Sequence, residues 1–328
     1  MTADSRHMPG PAAAALLLLA AAAAMIVAVL TLDPVALARG ALAGWLFCLS
    51  VCTGASVWLL IGALTGGRWL VRAAPVLGVL ARGTWAVALL GVALVPLAPL
   101  LFPWWEGETD PALWFDVPFF ALRGAAVLIL WSVLGFVAMR PLPPVLAALA
   151  LTLYALAVSV ASADWVLSLD PGFVSTAFGA HLAVLQLALA LAAVAVLSGG
   201  DGDIGGLLLV CVLGVFYLAA MEYVVSWTGN LPHKAAWYLA RQDGWGPGWL
   251  WLSFIVGIAG PFAALLSSRI RKSAAALRVI GGAMLVGGLA HLVWLLAPEC
   301  GAVGMVAIAT VAAALSLALL IAGGRHER

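Results

Sequence analysis

Two stretches decide how this chain is read: ADWVLSLDPGFVSTAFGAHLAVLQ, residues 163–186, and FYLAAMEYVVSWTGNLPHKAAWYLARQDGWGPGWLW, residues 216–251. In both, apolar runs end in dense clusters of Asp, Trp, Asn, Pro, His and Arg. Gly and Asn accept unusual backbone angles and Pro stops a helix, so Asp170-Pro171-Gly172 and Gly229-Asn230-Leu231-Pro232 punctuate long apolar helices. Outside these stretches the chain is mostly Ala, Leu, Val and Gly. The fold class this implies is all-α, a polytopic transmembrane helical bundle.

Composition supports that class. Of 328 residues, 65% are hydrophobic and 9% charged, against about 25% charged in soluble domains. Mean hydropathy is +1.16, the range of a multi-pass helical membrane protein. Net charge is +1 and no basic run is present, so nothing points to nucleic acid. Cys48, Cys52, Cys211 and Cys300 lie in or beside apolar segments. Cys48 and Cys52 are one helical turn apart, a spacing that suits a metal, but small apolar filler is the commoner role in a membrane helix. There is no CxxC and no ferredoxin-type pattern, so the expectation is no iron–sulfur cluster held by this chain.

Windows of about 20 apolar residues give ten spans, at 12–32, 40–64, 83–103, 118–139, 144–162, 174–198, 203–228, 246–268, 275–297 and 302–323. Ala12 to Leu30 is too long for a signal-peptide core and reads as the first of them. The short connections leave 1–328 as a single integral membrane domain, with its motifs in 154–251. Eleven Lys/Arg fall on one side (Arg6, Arg68, Arg72, Arg82, Arg140, Arg269, Arg271, Lys272, Arg278, Arg325, Arg328) and four on the other (Arg39, Arg123, Lys234, Arg241). The positive-inside rule then puts both termini in the cytoplasm. The outer face is acidic and Trp-rich, with Trp104, Trp105, Trp114, Trp165, Trp227, Trp237, Trp245, Trp249 and Trp251. An interfacial belt explains some of these, and a docking surface is a second use for the rest.

Ionisable groups inside a bilayer are costly, and each is a candidate for function. Arg123, Tyr154, His181, Glu222 and His291 come from five spans and share the outer third of the membrane, while the inner half has only Gln186, Thr152, Ser132, Ser50 and Thr53. Asp164 stands at the outer end of its span. A His and a carboxylate near the boundary suit the proton chemistry of a quinol headgroup. The same groups also suit buried pairs that hold helices together, either Arg123–Glu222 or His181–Glu222. A third arrangement is bis-His haem ligation by His181 and His291. The Trp227–Pro232 loop should end the seventh span sharply and start a short interfacial helix through His233, Lys234, Trp237, Tyr238 and Arg241. Asp170 is placed to cap the sixth span.

DWVLSLDPGFVSTAFG followed by EYVVSWTGNLPHKAAWYLAR resembles the second NrfD-like integral membrane subunit of alternative complex III, a bacterial quinol:cytochrome c oxidoreductase (the quinone-binding subunit 2 family). The likeness covers roughly Tyr154 to Trp251. It implies that Asp164, Trp165, Asp170 and Pro171 match one family motif, and Ser175, Thr176, Phe178 and Gly179 the next. It implies that Trp227, Asn230, Pro232, Trp237, Tyr238 and Arg241 match a third. Two departures stand out: Glu222 replaces the family's usual Gln, and His233-Lys234 replace its acids.

The resemblance implies ten spans in the bacterial inner membrane. It implies a respiratory electron-transport subunit without redox metal, haem or iron–sulfur cluster of its own. Its partners would be an NrfD-like subunit and c-type haem and iron–sulfur subunits. The expected quinone-binding or proton-transfer residues are Asp164, His181, Glu222, His291, Arg123 and Tyr154. Trp165, Asp170, Pro171, Trp227, Asn230, Pro232 and Arg241 are the structural motif. A secondary transporter is the alternative from another class. It calls for inverted repeats and broken helices near the midplane, and no such repeat is visible. A structural scaffold subunit is the third.

Overall fold

Acids and prolines start the helices of this chain. In the computed structural model, which describes residues 33–67, 69–105, 114–296, 303–304 and 306–312, helix α1 runs Pro34–Thr65. The Asp33 carboxylate accepts from the Val35 and Ala36 amides, and Gly66 closes the helix at φ 64°. Helix α2, Trp69–Leu90, continues through a 3₁₀ segment, Gly91–Leu97, to Leu101. Asp116 caps α3, Val117–Val137, and Pro144 opens α4, Pro144–Trp165. Helix α5 is Phe178–Ser198 and α6, capped by Asp201, is Gly202–Thr228. A short helix α7, Pro232–Leu239, precedes α8, Gly246–Leu252. Helix α8 passes into a π-helical stretch, Ser253–Ala259, and a final piece, Gly260–Leu265. Helix α9 is Ala274–Leu296.

Eight of these rods are long and apolar enough to cross a membrane, and no strand occurs among the described residues. The chain is therefore a multi-pass helical membrane protein. The eight correspond to the second through ninth expected spans. The first, 12–32, lies outside the described residues, as does most of 302–323, of which 303–304 and 306–312 are helical. Three helix starts differ from expectation by four residues or more. Helix α1 begins at Pro34 rather than 40, where Asp33 caps it. Helix α2 begins at Trp69 rather than 83 because Arg72 and Arg82 are accommodated at its exposed surface. Helix α5 begins at Phe178 rather than 174, because Gly172 to Thr176 form a turn and bends instead of a helical end.

Helix α1 is the central post. It packs on α2, α5, α4 and α9, and α5 in turn on α9 and α6. Apolar burial cannot favour helix association in lipid as it does in water, so close approach of small residues carries the packing. A Cβ added to Gly54 would sit 2.0 Å from the Gln186 carbonyl oxygen, which locks α1 onto α5. One added to Gly287 would sit 2.2 Å from Gly257 Cα, where α9 crosses the π-helical stretch backbone to backbone. Gly287→Leu is expected to push these elements apart and cost about 1–3 kcal/mol. Thermal unfolding in detergent would register this as a clear drop, whereas Gly282→Leu, whose Cβ meets nothing within 4 Å, should be nearly silent.

Candidate functional site: a buried polar chain

The site is assembled at the helix ends that flank the two motif stretches. His181 is one turn into α5, Glu222 lies in the last two turns of α6, and His291 lies near the end of α9. Ser175 belongs to the irregular turn before α5. Their side chains form one continuous line. Ser175 Oγ donates to Glu222 Oε1 at 2.7 Å. His181 Nδ1 lies 3.0 Å from Glu222 Oε2. His181 Nε2 lies 3.1 Å from His291 Nε2. His181 and His291 are buried, and the Glu222 side chain is 8% exposed at the edge of the bundle. Beyond His291 is a cavity of about 30 Å³, lined by Ser253, Leu185, Met284 and the Gly257–Gly287 crossing. That is room for a water molecule, in contact with the inner end of the line.

The geometry dictates the proton positions. If Glu222 is ionised, it accepts from Ser175 and from His181 Nδ1–H. Neutral His181 then has a bare Nε2, which accepts from His291 Nε2–H. If Glu222 is protonated, it donates to His181 Nδ1, His181 Nε2–H donates to His291 Nε2, and neutral His291 carries its one ring proton on Nδ1. One proton entering at His291 Nδ1 converts the first state into the second and emerges on Glu222. Each imidazole changes tautomer and neither needs to stay charged.

Arg123 and Asp164 form a separate element. Arg123 Nε and one terminal nitrogen each lie 2.9 Å from a carboxylate oxygen of Asp164, a bidentate pair with side-chain exposures of 10% and 2%. The same terminal nitrogen donates to the Trp114 carbonyl at 2.9 Å. The guanidinium also lies over the Trp114 and Phe119 rings, at 4.0 and 4.4 Å from their centroids. Asp164 further ties its helix end through its carbonyl, which accepts from Ser168 Oγ. Trp165 packs edge-on against Trp45 and Trp131.

Of the six expected site residues, the structure thus brings three into one line and pairs two others with each other. The expected Arg123–Glu222 pair does not form, because α3 packs on α4 and the Asp164 carboxylate is within its reach first. The His181–Glu222 pair does form. Tyr154 joins neither group: its hydroxyl donates to Gln186 Oε1 at 2.7 Å, one layer deeper. Haem ligation between the two histidines does not fit this arrangement. An iron between them needs Nε2 atoms roughly 4 Å apart, at about 2 Å per bond, and they stand at 3.1 Å, in hydrogen-bonding contact.

The motif residues mostly shape the helix ends. Asn230, at φ 44°, is the non-glycine residue with a left-handed backbone among those described, and it turns the chain from α6 into α7. Pro232 then opens α7. Trp237 is buried, stacked on Phe173 at 4.2 Å and edge-on to Trp294. Arg241 sits over Trp237 at 3.5 Å and donates to the carbonyls of Trp237 and Leu295, pinning α7 across the end of α9. Burial pushes the Tyr238 phenol well above its ordinary range, and the nearby Glu222 carboxylate adds to the rise, so Tyr238 stays a proton donor beside the line. Asp170 does not cap α5: Ala177 occupies the cap position without a side-chain hydrogen bond, and Asp170 accepts through its own carbonyl from Phe173. The Trp set also divides. Trp104, Trp165 and Trp237 are core residues, and only Trp227, Trp245 and Trp251 of the set are strongly exposed. Ser175, Gln186, Trp114 and Phe119 were not among the expected site residues. Ser175 had a signal in the Ser-Thr-x-Phe-Gly stretch, whereas the other three are recognisable only once the helices are packed.

Fold and site together define a class, a multi-pass helical membrane protein with a buried Ser–Glu–His–His line near one end of its bundle. No protein-family model matches the chain, and no curated protein matches it.

Proposed function

We propose that this chain is a membrane-integral subunit of a bacterial respiratory quinol:electron-acceptor oxidoreductase, of the NrfD-like kind found in alternative complex III. Its own contribution is to take and pass protons at the quinol-oxidising side. The observation that supports this most is the uninterrupted Ser175–Glu222–His181–His291 hydrogen-bond line. A quinol must lose protons as it loses electrons. Glu222, at the edge of the bundle and held by Ser175, is the group placed to accept one from a headgroup arriving through the lipid. With His181 Nδ1 bare, the Glu222 proton passes to it as His181 gives its Nε2 proton to His291 Nε2 and the His291 Nδ1 proton leaves, the reverse of proton entry at His291; both rings turn back before the next proton. Arg123 and Asp164 brace the same end, and Tyr154 with Gln186 stands one layer further in. Electrons go to haem and iron–sulfur subunits of the partner assembly, since two electrons leave for every two protons. Both termini lie in the cytoplasm of this reading, with the line near the periplasmic face.

Purification of the tagged chain in mild detergent tests the assignment. Mass spectrometry, a visible spectrum and lipid extraction of the eluate should find an NrfD-like partner, c-type haem subunits and a quinone. A chain that elutes alone, with neither haem nor quinone, overturns the respiratory assignment and favours a transporter.

A further inference from the structure

At the opposite end of the bundle from Asp164 lies a cavity of about 600 Å³ between the α1–α2 hairpin and the turn joining α3 to α4. Its walls are apolar, including Leu59, Leu70 and Val79. Two guanidinium groups stand at its rim, Arg82 from the middle of α2 and Arg140 from the α3–α4 turn, both exposed. Neither meets a carboxylate among the described residues; Arg82 Nε instead points at Met139 Sδ, 2.9 Å away. Arg72, by contrast, has Asp201 at 3.4 Å. Unpaired cations over an apolar recess at one end of a membrane bundle are complementary to one kind of molecule: an anion that carries hydrocarbon. The wall is also cut back where a chain would enter. Pro75 and Gly78 line it, and a Cβ built on Gly78 meets nothing within 4 Å.

We infer that this recess is a binding site for an anionic phospholipid, with an acyl chain against Leu59, Leu70 and Val79 and the phosphate held by Arg82 and Arg140. The volume accommodates an acyl segment rather than a whole lipid, so the rest of the molecule lies along the exposed face of α2. Basic pockets between transmembrane helices hold acidic headgroups in this manner, at about fivefold in preference per arginine near the surface. Guanidinium forks engage phosphate oxygens in pairs, which adds geometry to charge. The site is remote from the Glu222 line and does not depend on the function proposed for it.

The test is native mass spectrometry of the purified chain in detergent, with phosphatidylglycerol or phosphatidylcholine of matched acyl chains, or inorganic phosphate alone. The expected result is a discrete phosphatidylglycerol adduct favoured over phosphatidylcholine by roughly an order of magnitude or more, from about fivefold per arginine. Arg82→Gln with Arg140→Gln should abolish the preference, and the paired Lys variants should keep most of it. Gly78→Leu, which projects a side chain from the lining of the recess, leaves both arginines in place and improves helix propensity, should sharply weaken the adduct itself. The inference is overturned by equal retention of both lipids, or by a preference that survives loss of both arginines. It is equally overturned if inorganic phosphate competes as well as the lipid does, or if Gly78→Leu leaves the adduct intact. Should the Gln pair fail to fold, Gly78→Leu and the Lys pair decide the matter.

Discussion

Arg123→Ala is expected to destabilise the protein by about 3–5 kcal/mol, because it strands a buried carboxylate. The Asp164 side chain is 2% exposed and both of its oxygens are held by Arg123. Removing the guanidinium also frees the Trp114 carbonyl and empties the space between the Trp114 and Phe119 rings. Chemical or thermal unfolding in a fixed detergent measures the loss. The double variant Arg123→Leu with Asp164→Leu is expected to recover most of it, since a buried ion pair replaced by apolar side chains is often neutral or better. The cycle therefore separates the cost of an orphaned charge from the value of the pair. A single-variant loss under about 1 kcal/mol, the range of exposed pairs, would mean that Asp164 finds water or another partner, and the bracing role would fall.

Glu222→Gln is expected to lower quinol-linked turnover of the assembled complex by about 10²–10⁴-fold, the contribution of a positioned acid–base group. Folding should be largely unaffected. The amide keeps a carbonyl for Ser175 and an NH₂ to face His181, so the local hydrogen bonds persist while the exchangeable proton is lost. His181→Ala should cause a similar loss, because it removes the ring joining Glu222 to His291. Ser175→Ala should be much milder, since Ser175 only orients the carboxylate. Unchanged turnover in both Glu222→Gln and His181→Ala would identify the line as a structural pair of the kind that holds helices together, and the chain as a scaffold subunit.

The individual elements of this fold are legible in the residues. Asp33-Pro34, Asp116, Pro144 and Asp201 stand at helix starts in the structure, each a local feature of its own few residues. Asn230 and Pro232 mark the break between α6 and α7. Apolar length alone identifies the eight described spans. These features are local: a carboxylate caps the amides next to it, and about 20 apolar residues must cross lipid as a helix. The depth of His181, Glu222 and His291 is local too, since each can be counted from the end of its own helix.

What no count along the chain provides is rotation and neighbourhood. Whether Arg123 turns to Asp164 or to Glu222 depends on which helices touch, and α3 touches α4. Tyr154 reads as part of the same layer, yet its hydroxyl bonds to Gln186 because α4 packs directly on α5. Likewise, nothing in the sequence separates Trp165 and Trp237, which pack in the core, from Trp227 and Trp245, which face outward. The residues by themselves determined an all-helical membrane chain with its polar groups gathered towards one end. Only the tertiary structure, through close helix crossings at small residues, decided that three of those groups and Ser175 form a single hydrogen-bonded line while Arg123 and Asp164 pair with each other beside it.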